Sequence, residues 1–306
     1  MKTVSDRKIL ILLIAIQLVL CLFVIDKFPI SLDEPFSIFY SQQSLADLWP
    51  IFEWENNPPL HFLLLHGWVK FFGVGTIAVR SLSLLVSIAS IVYLYKLGRK
   101  FWKKEYAVLL VSLFIFSRLD HYISMEARMY GLFTLFFILI LYNFYSLLFE
   151  NKRVFIQLGI WNALLLYAHY LGGVVILMEM LVFIFLIPVW TKKKILHGLI
   201  ALCIGFVLYI PGLKIFTNRA GDFQSSGSWV PEAELYDLWT NLVKLMNNEF
   251  TLIATMLLVI LIAIIGVKKI RTQENKSLTF FSLWFLGGYL LIFVISLLFQ
   301  PIFFIK

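Results

Sequence analysis

Residues 9–34 read ILILLIAIQLVLCLFVIDKFPISLDE. The apolar run from Ile9 to Ile25 follows a basic start and has the character of a first membrane span. About eight residues beyond it stand two adjacent carboxylates, Asp33 and Glu34. Acids held against a bilayer either do chemistry or carry charge across it. The run is not read as a cleaved signal: Ile25-Asp26-Lys27-Phe28-Pro29 offers no small-x-small site, so an uncleaved first span is expected.

The rest of the chain is built on the same plan. Of 306 residues, 61% are hydrophobic and 14% charged, and the mean hydropathy is +0.89, beyond what a soluble domain carries. The apolar material comes in long runs bounded by basic clusters, which predicts an all-α polytopic membrane protein. The net charge of +8 is dispersed in short interhelical clusters. That is topology information and excludes a nucleic-acid partner. Cys21 and Cys203 lie inside apolar runs without metal-ligand spacing and read as small buried hydrophobes.

Nine spans are expected, near 9–25, 77–97, 106–118, 129–149, 154–169, 172–190, 195–212, 250–267 and 278–299. Segment 58–73 is apolar but opens on two prolines and carries His61, His66 and Lys70. The positive-inside rule assigns it to the outer interface. On that choice the inner segments hold 17 of the 26 Lys and Arg and 4 of the 18 acids. The N-terminus is then cytoplasmic and the C-terminus outside. Outer loops 26–76, 118–128 and 213–249 form the site side of a single membrane-embedded domain, 1–306. Two amphipathic stretches, Ser44–Trp54 and the run carrying Leu235, Leu238, Trp239, Leu242 and Met246, read as interfacial helices. Between them, Gly221–Gly227 reads as a flexible part of a mobile cover.

Candidate chemistry gathers in the outer loops. Asp33 and Glu34 suit a general base and a metal or substrate ligand; an ordinary acidic loop is the alternative, since Asp26, Asp47, Glu53 and Glu55 share it. Asn56-Asn57-Pro58-Pro59-Leu60-His61 fits an extended entry into an interfacial helix. The segment Ser117–Tyr130 packs Arg118, Asp120, His121, Glu126 and Arg128 between two spans. An arginine there can grip a phosphate bidentately, or the segment is a salt-bridged loop. His169-Tyr170 marks a tight outer turn before Gly172-Gly173. Arg80, opening the second span, either snorkels or meets a phosphate. Glu179 lies within a span and needs a partner or a neutral state. No Gly-rich phosphate loop or zinc spacing is found, so a donor must reach the site through the membrane.

The ordered set Ser31-Leu32-Asp33-Glu34, Asn57-Pro58-Pro59-Leu60-His61-Phe62-Leu63-Leu64-Leu65-His66, Arg80-Ser81-Leu82-Ser83, Ser124-Met125-Glu126-Ala127-Arg128-Met129-Tyr130 and His169-Tyr170 resembles membrane glycosyltransferases of the protein O-mannosyltransferase and aminoarabinose transferase type. The resemblance covers most of the chain and is strongest over 31–131. It implies a C-type glycosyltransferase bundle with its reaction centre at the outer surface. It also implies a polyprenyl-phosphate sugar donor, and transfer with inversion to a glycan, lipid or protein acceptor. On that resemblance Asp33 is the catalytic base, with Glu34 and Glu126 supporting it. Arg128 and Arg80 stabilise the departing lipid phosphate, and Asn57, His61, His169 and Tyr170 contact substrate. Some relatives bind a divalent metal near the first acid, which makes Glu34, Glu126 and His169 its candidate ligands.

Such proteins commonly continue beyond the region of Gln300-Pro301-Ile302-Phe303 into further spans. Because the chain stops at Lys306, a shortened member of a bacterial plasma membrane is expected. The competing class is a transporter or lipid flippase without transferase chemistry. It would want ionisable residues deep in several spans and paired broken helices; Glu179 is the clearest deep acid, and no such pair is visible.

Overall fold

The structure, a computed structural model, describes residues 5–30, 33–150, 153–185, 191–226, 230–266, 280–281, 283–299 and 301–303. Several features read from the sequence lie outside these residues: Ser31-Leu32, the basic cluster 268–276, Gly227 to Trp229, and Gln300. The described residues form helices and turns only.

Among the described residues, three helices are long and apolar enough to cross a membrane: α5 (Thr76–Phe101), α8 (Tyr130–Phe149), and Lys192–Arg219 within α11 (Lys192–Ser226). A fourth candidate is the pair α6 (Lys104–Ile115) and α7 (Arg118–Ser124), bent by 65° at its break. Helices α1 (Asp6–Leu22), α9 (Phe155–Ala168) and α10 (Gly172–Phe185) lie at three more of the nine expected positions but are shorter than these. The expected unwinding near residue 118 is the α6–α7 bend.

The chain divides into two compact units. The first comprises Met1–Phe116, Asp120–Gly173 and Ile187–Asp222. Helix α5 is its mast, packed by α1, α6, α8 and α4 (Leu60–Phe72). Leu13, Ile91, Tyr95, Ala107, Val111 and Ile115 form one buried cluster between α1, α5 and α6. Because partners surround α5, its buried face includes Arg80, Ser83, Ser87 and Ser90, each needing a hydrogen-bond partner there. Gln17 Nε2 donates to Ser87 Oγ (3.0 Å) and Asp120 Oδ2 (2.8 Å), tying α1, α5 and α7 together.

The two ends of this unit differ chemically. At one end Asp6 accepts from Tyr95 Oη (3.1 Å) and Arg99 Nε (3.1 Å), Lys100 pairs with Glu150 (2.9 Å), and Lys194 donates to the Leu148 carbonyl. These groups come from the segments assigned to the inner side by charge. The other end carries 25–34, the start of α5, and 124–130.

At that second end α2 (Glu34–Ser41), which sequence periodicity did not reveal, starts directly after Asp33, with Pro35 in its first turn where a missing N–H costs nothing. The amphipathic stretch 44–54 is α3 (Leu45–Phe52), capped by Ser44 Oγ accepting from Asp47 N (3.2 Å). Leu48 and Phe52 are buried with Phe62 and Ile215, while Trp49 and Trp54 are exposed. Helix α4 follows Pro59 and stops at Gly73, whose φ of 78° suits glycine as a C-cap. Its 13 residues span only ~20 Å, short of a ~30 Å hydrocarbon core.

One expectation is corrected. Residues 213–226 do not open a loop: α11 runs on through Pro211 to Ser226. The continuation is held by Ile215 in the α3–α4 cluster, by Lys214 on Glu53 (2.9 Å) and by Arg219 on Asn56. Tertiary contacts outweigh the backbone bond that proline removes. Helices α9 and α11 meet at Gly159, where a Cβ would lie 2.6 Å from the Ala201 carbonyl oxygen.

The second unit comprises Ser117–Leu119, Val174–Leu186 and Phe223–Lys306. It holds most of α10, α12 (Asp237–Leu245), α13 (Glu249–Gly266), a π-helical turn at Leu283–Gly287 and α14 (Gly288–Leu298). Helix α12 falls within the second amphipathic stretch. Tyr289 Oη donates to the Leu238 carbonyl (2.7 Å) and Asn241 Nδ2 to that of Phe303 (3.3 Å). Glu179 is buried on α10.

Candidate active site

The second end of the first unit is organised by a buried ion pair. Arg80 Nε and NH2 donate to Glu34 Oε1 (2.9 Å) and Oε2 (2.6 Å) in a parallel fork. Its other N–H groups go to the carbonyls of Ile25 (2.8 Å), Phe28 (2.9 Å) and Pro29 (3.1 Å). Five N–H donors meet five acceptors. Glu34 Oε1 also accepts the Ala127 backbone N–H (2.9 Å). One pair thus fixes the exit of α1, the start of α2 and the 126–128 segment. Arg80, read as snorkelling or meeting a phosphate, and Glu34, read as supporting a base or holding a metal or substrate, are here held by each other and by the backbone.

Asp33, beside this pair, is half-exposed. Its Oδ2 lies 3.8 Å from Arg128 NH2. Arg128 is buried; NH1 donates to Ser37 Oγ (3.1 Å) and more weakly to the Asp33 carbonyl (3.4 Å), and Nε is buried with no partner.

Glu126 lies within electrostatic reach of Arg128, Asp33 and Glu34. Its Oε1 accepts from Tyr122 Oη (3.0 Å), its Oε2 is buried with no partner, and Ser83 Oγ holds its backbone carbonyl (2.6 Å). Burial pushes its carboxyl up to about 7, and the two neighbouring acids add to this. The Tyr122 hydrogen bond and Arg128 oppose it.

Two imidazoles complete the cluster. His61, buried on α4 against the Ala127 backbone, is within electrostatic reach of Arg128 and leaves Nε2 without a partner. His169 ends α9. Its Nδ1 accepts the Leu171 N–H (3.1 Å), so the neutral ring carries its proton on Nε2. Burial first, and then the Arg128 charge, lower its pKa to about 4. The rings of Tyr130 and Phe133 stand 6.0 and 5.5 Å away.

The structure therefore brings together Asp33, Glu126, Arg128, His61 and His169, with Glu34 and Arg80 as their frame. Asn57 and Tyr170 belong to a second cluster. Asn57 Nδ2 donates to Glu55 Oε1 (2.9 Å), and Tyr170 feels Arg219 and Glu55. Sequence reading missed Tyr122 and Ser37. Tyr122 was legible as an i, i+4 partner of Glu126; Ser37 carries no comparable signal.

A divalent metal does not fit the three ligands expected for it. Both Glu34 oxygens are engaged by Arg80, His169 Nδ1 is taken by the backbone, and among the described residues no three His, Cys, Asp or Glu side chains form a metal-binding group. No step is derived through a metal.

What this geometry offers is a partly exposed carboxylate beside a buried guanidinium, a near-neutral carboxylic acid and neutral imidazoles. The Arg128 Nε–H and the protonated Glu126 Oε2, both buried and unpartnered, can meet an oxyanion. A family model described as dolichyl-phosphate-mannose-protein mannosyltransferase matches residues 56–213, just over half of the chain. That stretch includes every residue of the cluster except Asp33 and Glu34. No match was found among curated proteins or among solved structures. The chain belongs to the dolichyl-phosphate-mannose-protein mannosyltransferase family, glycosyltransferases that draw their sugar from a polyprenyl-phosphate donor.

Proposed function

We propose that this chain transfers one sugar from a polyprenyl-phosphate donor to an acceptor hydroxyl at the outer face of a bacterial plasma membrane, with the N-terminus cytoplasmic. One observation carries the reading: Arg128 Nε and Glu126 Oε2 are buried and unpartnered beside the Asp33 carboxylate. Leaving such atoms unpaired costs about 1–3 kcal/mol each, more for charged groups, and a phosphate would satisfy both.

In this scheme Asp33 takes the proton of the acceptor hydroxyl as its oxygen attacks the anomeric carbon. The bond from that carbon to the phosphate oxygen breaks, and attack from the opposite face inverts the centre. Arg128 meets the charge that grows on the departing phosphate, where stabilisation of the transition state acts. Neutral Glu126 donates an Oε2–H hydrogen bond to the same group. His169, kept neutral with its proton on Nε2, adds a donor without adding positive charge. Arg80 and Glu34 hold the frame.

Membranes containing the chain, supplied with a panel of radiolabelled polyprenyl-phosphate sugars, test this. Transfer in the wild type and its loss in Asp33→Asn at equal expression are expected. Transfer that survives the substitution removes Asp33 as base. Absence of transfer from every donor overturns the reading.

A further inference from the structure

The second polar cluster is not used by the reaction just described. Its Glu55 lines a cleft of about 280 Å³ together with Tyr40, Pro50, Ile51 and Trp54. Tyr40 closes α2 and lies within hydrogen-bonding reach of Glu55. Glu55 also holds Asn57 (2.9 Å), and Arg219, arriving on the extension of α11, holds Asn56. The Tyr170 ring leans on Phe216 with centroids 5.7 Å apart, and its hydroxyl is buried without a partner.

The composition of this cleft is specific. Trp54 is 75% exposed, while Phe52, two residues before it, is buried. It stands beside a carboxylate and an amide that already face each other. Aromatic faces accept the C–H faces of a pyranose, and a carboxylate with an amide reads vicinal hydroxyls. A phosphate is disfavoured by Glu55. The volume suits one sugar ring rather than a peptide, since clefts for larger ligands start near ~300 Å³.

Its place in the fold couples it to the reaction centre. His169 and Tyr170 are consecutive: the first responds to Arg128, the second to Arg219 and Glu55. Helix α2 joins the same two places, since Asp33 precedes it and Tyr40 stands seven residues on. That is two turns on one face, ~10 Å along the axis, within the span of a disaccharide.

We infer that this cleft is a saccharide subsite, which binds a sugar ring of a glycan acceptor next to the hydroxyl presented to Asp33. The inference rests on the proposed transfer for its role, and not for the binding itself.

Binding is therefore measured directly. The full chain in lipid nanodiscs is examined by saturation-transfer NMR with methyl α-mannopyranoside and methyl β-glucopyranoside. Saturation of ring protons is expected in the wild type and in Asp33→Asn. Trp54→Ala should weaken it by ~10-fold, the equivalent of one lost contact, and Trp54→Phe should restore most of it. Trp54 is exposed, so its replacement leaves the fold intact; Glu55→Gln provides a second, isosteric variant expected to weaken binding in the same direction. Absence of saturation with both glycosides, or equal saturation in wild type, Trp54→Ala and Glu55→Gln, overturns the subsite. Binding without any sugar transfer retains the subsite and removes the proposed reaction. Transfer to a glycan acceptor whose KM is unmoved by Trp54→Ala removes the subsite and retains the reaction.

Discussion

Arg80 and Glu34 face each other in a two-bond fork of 2.9 and 2.6 Å, with both side chains nearly excluded from solvent. Forty-six residues apart in sequence, they join the start of α5 to the start of α2, and through the Ala127 N–H to the Glu126–Arg128 segment. A buried charge left alone costs about 3–5 kcal/mol. Arg80→Met and Glu34→Gln are each expected to lower the midpoint of thermal unfolding in detergent. Arg80→Lys is expected to behave nearly as badly, because an ammonium cannot span five acceptors in a plane. If Arg80→Lys unfolds at the wild-type temperature and only raises the donor KM, the pair is a substrate contact rather than a frame.

The carboxyl of Glu126, pushed up to about 7 by burial, sets the sign of a pH effect. A raised folded pKa means that the neutral form is favoured in the folded state. Its contribution to stability is complete below the unfolded value of 4.5 and is lost as pH rises through about 7. Transfer that uses neutral Glu126 should decline over the same interval. Glu126→Gln keeps the donor and should flatten that decline. Tyr122→Phe removes a hydrogen bond that lowers the pKa, so the decline should move to higher pH. Initial rates across pH 5.5–8.5 (an assay range on either side of the ordinary His and raised Glu values) check both. A Tyr122→Phe profile that moves to lower pH would contradict the assignment.

Much of this arrangement is legible in the residues. The apolar runs announce α5, α8 and α11, and the spacing of Leu48 and Phe52 announces α3. The order of Asp33, Glu126, Arg128 and His169 marks a candidate site, and the fold brings those residues together. What could not be read is who is paired with whom. Arg80 looks like a phosphate ligand in sequence, because nothing local reveals that Glu34 and three carbonyls from 25–29 converge on it. The extension of α11 past residue 212 was hidden for a related reason. Pro211 and the charged Lys214 and Arg219 read as loop, and only their partners on α3 and the Glu53–Asn56 segment make the helix worth continuing. Helix α2 was obscured by its shortness, at eight residues.

The contact of α9 with α11 depends on the absence of a side chain at Gly159. A Cβ there would stand 2.6 Å from the Ala201 oxygen and 2.7 Å from Ile204 Cβ, so the helices must separate. Small residues permit such approach between apolar helices. Gly159→Ala should destabilise by about 1–3 kcal/mol, the usual cost of overpacking. Gly67→Ala, where nothing lies within 4 Å, should be neutral or slightly stabilising, since alanine is the better helix former. Thermal unfolding of both variants in one detergent provides the comparison. Equal midpoints would show that α9 and α11 are not packed this closely.

Arg128 is the residue whose replacement separates charge from geometry. Its guanidinium holds Ser37 at 3.1 Å and stands 3.8 Å from Asp33 while Nε stays unpartnered. If it meets the phosphate chiefly as that group departs, Arg128→Lys should lower kcat by about 10²-fold, the scale of one lost transition-state donor. The donor KM should change little, because an interaction made only in the transition state leaves ground-state binding alone. Lysine keeps the charge near Asp33, which limits any change in stability. Single-turnover transfer with saturating donor measures the chemical step. A large rise in donor KM at unchanged kcat would instead make Arg128 an anchor for the bound donor, and the stabilisation of the leaving group would then fall to Glu126 and His169.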